Sequence, residues 1–369
     1  MRIVGFYHSL ASDWNHGNAH FLRGIVGELQ RRGHEVDVYE PRDGWSRRGL
    51  VREAGERALG EFRTVFPTLK PRLYDLDTLE PEAAIARADV VLVHEWTDPW
   101  LVRELGRLRS DGAPFTLLFH DTHHRAVTAS DELPELRGYD GVLAYGRVLR
   151  DVYLRRGWAK RAWTWHEAAD VELFRPLRSE RRDGELVWIG NWGDGERADE
   201  LEEFLIKPAR RLRLRGSVYG VRYPDAAIKK LERAGLAYGG WAPNHRVPEL
   251  FARHRVTVHV PRRPYVESLP GIPTIRPFEA LACAIPLVCA PWDDAERLFA
   301  AGSDYLGARD GREMETQIRR VLTERDLARS LARRGRSTIL ARHTCAHRVD
   351  ELLAIHAELA GEPALEATG

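Results

Sequence analysis

Thr274, Arg276 and Glu279 carry the most specific chemistry in the chain, in the run Leu269-Pro-Gly-Ile-Pro-Thr-Ile-Arg-Pro-Phe-Glu-Ala-Leu-Ala-Cys283. Pro and Gly punctuate its first half, and a helical pattern follows from about Thr274 to Cys283 before Leu287 to Cys289 reads as a buried strand. Thr274 stands at the expected N-cap, and Pro277 falls where a helix N–H has no intrahelical partner. Open amides at Thr274 and Ile275, with the positive end of the helix dipole, attract phosphate, and the Arg276 guanidinium adds a full cation. One turn deeper, Glu279 can accept hydrogen bonds from two adjacent hydroxyls, such as those of a ribose. The functional reading is half of a nucleotide-diphosphate site; the plain structural one is a capped core helix with two solvated charges.

Two further clusters end apolar runs. Asp89-Val-Val-Leu-Val-His94 leads into Glu95-Trp96, and Phe115-Thr-Leu-Leu-Phe119 leads into His120-Asp121-Thr-His-His124. In an open α/β sheet ligands bind beyond the carboxyl ends of the strands, so both clusters are placed for function. His120, Asp121, His123 and His124 are metal-ligand types, but neighbours on one loop cannot all face a single ion and no remote partner is identifiable. A substrate-facing polar loop is the expectation, and no metal is assigned.

The elements that must position these groups alternate as β and α. Arg2 to Tyr7 is a strand, His20 to Arg32 a helix closed by Gly33-His34, and Glu35 to Tyr39 a second strand, which makes a βαβ opening with a parallel sheet. The loop between holds His16, Gly17 and Asn18 but no G-x-G-x-x-G, which disfavours a plain dehydrogenase. Farther on, Gly141 to Ala144 reads as a strand, and a second array opens at Glu185-Leu-Val-Trp-Ile-Gly190. Its loop, Asn191 to Arg197, precedes a helix, and a glycine-bearing turn there lets backbone amides approach a phosphate, so Gly190, Asn191 and Trp192 are donor-site candidates. One surface helix is expected from Met314 to Arg334, another from about Ser337 to Leu359, and a frayed tail over 362–369.

The run Arg276-Pro-Phe-Glu-Ala-Leu-Ala-Cys283 resembles the donor-binding helix of GT-B-fold glycosyltransferases of the family 4 type and of related spore-maturation-like transferases. Asp170, Phe174 and Pro176 are similar to that family's interdomain motif. The resemblance implies that Glu279 holds the ribose of a nucleotide sugar and that the helix end holds the pyrophosphate. It makes His120 the candidate for a catalytic contact to the donor sugar, with Asp121 as a base or as the residue orienting the imidazole. If the reaction inverts, Asp121, Glu95 or a His must take the acceptor proton; the resemblance itself implies retention. The loop at His16, Gly17 and Asn18 would face the acceptor or the donor phosphates. One departure stands out: the family carries two Glu separated by seven residues, and Gly271 occupies the first position.

At 369 residues the chain exceeds a usual single core, so two domains are expected. The resemblance implies a GT-B α/β architecture: two doubly wound Rossmann-like domains facing across a cleft, with a C-terminal helix crossing back to the first. The boundaries read from it are 1–170 for the acceptor side, 171–340 for the nucleotide-sugar side and 341–369 for the returning helix and tail. A net charge of +1 argues against a nucleic-acid partner. Three cysteines without a C-x-x-C pair make disulfides and structural zinc unlikely readings. No apolar run reaches membrane-spanning length and no signal peptide precedes the first strand, so a cytoplasmic protein is expected. The function these readings imply is a hexosyltransferase-type glycosyltransferase. It needs no cofactor and uses a nucleotide-diphosphate sugar as donor, with a glycan, lipid-linked or small-molecule acceptor. The alternatives are a nucleotide-sugar 2-epimerase of the same fold, a non-catalytic nucleotide- or carbohydrate-binding protein, and a metal hydrolase built on the His120 loop.

Overall fold

A computed structural model describes residues 1–361 except 131, 132, 134 and 194. The tail expected over 362–369 lies outside the described residues. The chain divides into two compact units, Met1–Glu167 with the segment from Cys345 onward, and Ala168–Thr344.

The first unit is built on seven strands: β1 (Arg2–Phe6), β2 (Glu35–Pro41), β3 (Arg72–Tyr74), β4 (Val90–His94), β5 (Thr116–Asp121), β6 (Gly141–Ala144) and β7 (Ala162–Thr164). They lie in the order β3-β2-β1-β4-β5-β6-β7 with every pair parallel. The all-apolar interior of β4 follows from that topology, because a parallel strand covered by helices on both faces has no solvent side to alternate toward. The final helix, Cys345–Ala360, belongs to this unit. Trp165 Nε1 donates to the Arg348 carbonyl at 2.8 Å, Arg32 Nη2 to that of Ala346 at 3.1 Å, and His356 Nδ1 meets the Thr116 hydroxyl at 2.8 Å.

In the second unit β8 (Leu186–Ile189), β9 (Gly216–Tyr219), β10 (Leu236–Tyr238), β11 (Val256–His259), β12 (Leu287–Cys289) and β13 (Leu306–Gly307) form another parallel sheet, ordered β10-β9-β8-β11-β12-β13. Its core gathers Trp188, Leu205, Val218, Leu231, Val258 and Ile318. The chain enters and leaves this unit side by side, with the Ala169 amide on the His343 carbonyl at 2.9 Å. Just beyond, Phe174 of the expected interdomain motif is fully buried and its amide donates to the Asp170 carbonyl at 2.7 Å.

Two expectations about elements need correction, and two strands went unread. The single helix read over Met314 to Arg334 is two, Gly311–Thr323 and Arg325–Arg342, because Glu324 leaves helical backbone at φ −94° and ψ 88°. The later helical stretch begins at Cys345 rather than near Ser337, the chain breaking first at His343. The two edge strands β3 and β13, three and two residues long, are too short to show a period in sequence.

Trp165 is 1% exposed and its ring lies against Phe21 and His120 at 5.3 and 4.8 Å. Trp165→Ala removes that packing and the bond to the last helix, and should cost about 3–5 kcal/mol. Chemical denaturation checks it; a loss under about 1 kcal/mol would show that the last helix is held by other contacts.

Candidate functional site

Because each sheet is parallel, every strand delivers its carboxyl end to the same edge, and in both the strand order reverses once, between β1 and β4 and between β8 and β11. Ligand sites form at such reversals. The residues singled out in sequence fall at these two edges.

In the second unit, β8 runs into Gly190, whose backbone has room for no side chain: a Cβ there would meet the Trp188 ring at 2.7 Å and Arg197 Nη2 at 3.3 Å. Arg197 therefore lies against the loop. Its Nη2 donates to the Asn191 carbonyl at 2.5 Å and its Nη1 to that of Val260, beyond β11, at 3.1 Å. Asn191 Oδ1 in turn accepts from the Val221 amide at 3.1 Å, and Trp192 leans on Tyr223. Arg197 has no carboxylate within ion-pair distance among the described residues, and its Nε has no hydrogen-bond partner there. Burial and the nearby Arg262 push its guanidinium down to about 10, which leaves it a cation at neutral pH. Arg262, by contrast, is neutralised by Glu196 at 2.9 Å.

His259 ends β11 beside this cation. Burial, then Arg197 and Arg276, push its imidazole down to about 3, so the field of both guanidinium groups reaches one buried ring. Arg276 belongs to the helix Ile275–Ala282 and pairs with the fully buried Glu279, whose Oε1 also accepts from Asn244 Nδ2 at 3.5 Å. Thr274 does occupy the N-cap position, but its side chain makes no capping bond. Its φ of 58° and ψ of −179° depart from the extended backbone in which a cap hydroxyl reaches the first-turn amides. Such a conformation is nearly restricted to glycine and costs about 1–3 kcal/mol for a β-branched residue. Gly271 has its own reason to be glycine: φ is 94°, its amide donates to the Asp293 carbonyl at 2.6 Å, and a Cβ would meet Glu296 Cγ at 2.9 Å.

The first unit gathers four imidazoles in file. The His8 and His16 rings are 5.4 Å apart, His16 and His94 6.0 Å, and His94 and His120 5.4 Å. Burial is the main cause that holds each below the ordinary range, with His8 at about 2, His16 at about 4, His120 at about 3 and His94 well below. His120, the catalytic candidate, is thus enclosed by Phe21, His94 and Trp165 at 1% exposure. Gly17 and Asn18 stay near the surface, away from the file that His16 joins.

Beside it lies a buried carboxylate pair. Asp121 accepts from Tyr153 Oη at 2.7 Å and from the His123 amide at 3.0 Å. Glu95 Oε1 accepts from the Thr122 amide and hydroxyl at 3.0 and 2.8 Å, while its Oε2 lies 3.6 Å from Arg125 Nη2. Burial and the neighbouring Asp121 push Glu95 up. Of the three catalytic candidates, Glu95 lines a cavity of about 620 Å³ at the strand ends. His8, Trp45, Tyr74, Trp96 and Arg125 also line it. Among the described residues no three His, Cys, Asp or Glu side chains are grouped to hold a metal ion.

The structure therefore brings Gly190 and Asn191 together with a residue that sequence reasoning passed over, Arg197, and adds His259 and Arg125. Arg197 closes a loop quoted for its glycines, and its bonds to the carbonyl oxygens of Asn191 and Val260 are a tertiary fact that no local pattern carries.

A model of glycosyltransferase family 4 matches residues 16–173, and a glycosyl transferase-like model matches 197–354. No match is found among curated protein sequences. Among solved structures, sucrose-phosphate synthase from Thermosynechococcus elongatus superposes with a TM-score of 0.67 at 15% identity, over 98% of this chain and 99% of that one. A glycosyltransferase from Rickettsia africae gives 0.66 at 10% identity over 98% and 99%. An alpha-glucosyltransferase solved with UDP and a 13-mer DNA gives 0.71 at 14% identity over 97% and 99%.

The imidazole file sets a pH dependence. A histidine with a native pKa of 2 to 4 and an unfolded one near 6.5 takes its proton only on unfolding, so its contribution is complete above about pH 6.5 and falls away as the pH drops. The raised Glu95 and Asp121 act in the opposite sense, which keeps the net slope below four protons. Urea denaturation should show stability climbing from pH 5 to 6.5; a flat or falling profile would contradict four neutral buried rings.

Proposed function

We infer that this chain, each half of which matches a glycosyltransferase model, is a glycosyltransferase that moves a sugar from a nucleotide-diphosphate donor to an acceptor hydroxyl. Its fold is GT-B, with two doubly wound parallel α/β units. The observation that carries the donor assignment is Arg197: a partly buried cation that donates to two carbonyl oxygens, with no carboxylate in ion-pair distance among the described residues, is stabilised by an arriving anion. A diphosphate supplies that anion. The alpha-glucosyltransferase and the Anabaena protein HepE, both similar in fold, were solved with UDP, which supports a uridine nucleotide as the first donor to try.

In this reading the bond from the anomeric carbon to the diphosphate oxygen breaks, and one from the same carbon to the acceptor oxygen forms. Negative charge grows on the departing diphosphate, where Arg197, Arg276 and the uncapped amides at Thr274 and Ile275 stabilise it without a metal ion being required. Glu279 holds Arg276 in the bare protein and is the carboxylate available to ribose hydroxyls once that guanidinium turns to phosphate. The family 4 resemblance favours retention, with the leaving phosphate taking the acceptor proton. Glu95 then contacts the acceptor hydroxyl, while the enclosed His120 and the tethered Asp121 position it. Three buried cysteines, none in a disulfide, suit a reducing, cytoplasmic setting.

Calorimetric titration with UDP-, GDP-, ADP- and TDP-sugars tests the donor site. Arg197→Met should weaken the best of them about 10- to 100-fold. Unchanged affinity would remove the donor assignment, and consumption of the donor without any acceptor would favour the epimerase.

A further inference from the structure

The cavity of about 620 Å³ in the first unit is built from the segments that follow β1, β2, β3 and β4, with Arg125 from beyond β5, and its size is within the range of pockets that hold small molecules of a few rings. One wall is aromatic. Trp45 stacks on His8 with centroids 4.2 Å apart and meets Trp96 at 6.0 Å and 77°, so two indoles stand nearly at right angles. Tyr74 continues that wall. Its charge is mainly acidic: Asp43, Asp75, Asp77, Asp98 and Glu95 line it against two guanidinium groups among the described residues, Arg48 and Arg125.

Those two cations are already engaged. Arg48 faces Asp43 at 3.4 Å. Arg125 lies over the Trp96 ring at 4.0 Å, donates to the Glu95 carbonyl at 2.7 Å and pairs with Glu95 Oε2 at 3.6 Å, its Nε making no hydrogen bond among the described residues. Asp98 caps the helix Pro99–Ser110 through the Trp100 amide, and Arg42 binds Asp75 from outside the lining. Asp77 makes no hydrogen bond or ion pair among the described residues. Two buried groups in the lining also keep unused hydrogen-bonding capacity: His8 at 2% exposure has no partner for Nε2, and Glu95 at 3% exposure has no hydrogen bond at Oε2.

Such a surface selects by chemistry. A sugar ring offers an apolar C–H face that an indole covers and a rim of hydroxyls that carboxylates accept. An ammonium is welcomed by the same carboxylates and by indole faces. A phosphate or uronate meets an excess of like charge, and the Arg125 guanidinium already faces the Glu95 carboxylate at 3.6 Å. We propose that this cavity receives the acceptor, and that the acceptor is a glycan end of one or two rings bearing no negative charge, neutral or aminated. The proposal rests on the transferase reading above and narrows it: the anionic donor goes to the cationic strand ends of the second unit, and an uncharged or cationic acceptor to the acidic cavity of the first.

The test uses the full chain on an array printed with neutral, hexosamine-ended, uronate-ended and phosphorylated glycans. Quenching of tryptophan fluorescence then gives affinities for the best ligand and for its phosphorylated counterpart. The retained glycans should end in neutral or aminated sugars, with the phosphorylated form at least 10-fold weaker. Trp45→Ala should cost 10-fold or more. Asp77→Lys, a change at an exposed position that does not threaten folding, should narrow the gap between the two forms. A preference for uronate or phosphate ends overturns the proposal, as does a protein that binds nucleotide sugar in calorimetry but retains no glycan. Glycan capture without nucleotide-sugar binding leaves the cavity assignment standing and removes the transferase reading instead; absence of both removes both.

Discussion

The hydrogen-bond ladder of a parallel sheet imposes the constraint on which the rest depends. Strands that all run one way, with helices returning on the faces, must release all their loops at one edge, and the interior positions of those strands must be apolar on both sides. In β4 and β5 the apolar run lasts until the final residues, His94 and His120-Asp121, where the sheet ends and polar chemistry becomes affordable. In the second unit the same edge collects Gly190, His259 and the start of the helix Ile275–Ala282. Neither group of residues is contiguous in sequence. Topology assembles each.

What distinguishes the two edges is the sign of the charge left over. In the second unit Arg197 donates to carbonyl oxygens and pairs with no carboxylate among the described residues, and a second guanidinium, Arg276, acts on the same buried imidazole. In the first, the imidazoles are neutral through burial, and carboxylates outnumber guanidinium groups around the cavity. An isolated buried charge is expensive, so a fold that keeps one unpaired does so where a ligand supplies the partner. The backbone at Thr274 points the same way. A threonine at φ 58° costs conformational energy, and it leaves the amides of the helix start uncapped by its hydroxyl.

Much of this was legible in the residues alone. The βαβ opening, the strands ending at His94 and near His120, and the helix carrying Arg276 and Glu279 follow from hydrophobic period and punctuation. These signals are local, and so they survive in a single sequence. The parts that were not legible depend on tertiary neighbours. Thr274 looks like a cap because threonine usually is one, but its φ of 58° takes its hydroxyl away from the first-turn amides, and no local pattern announces that angle. His120 sits at a strand end as read, yet only packing shows Phe21 and Trp165 closing over it. Nothing in the string Asn191 to Arg197 says that the Arg197 guanidinium turns to the carbonyl oxygens of Asn191 and Val260. The surface helices were misdivided because the break at Glu324 carries neither Gly nor Pro.

Hydrogen–deuterium exchange of the full chain with and without a saturating nucleotide sugar tests the central claim most directly, namely that the cationic strand ends of the second unit hold the diphosphate. Amides at 190–193, 259–262 and 274–276 should slow together when the donor is added. Protection confined to the first unit, or none at these three segments under saturation, would contradict it.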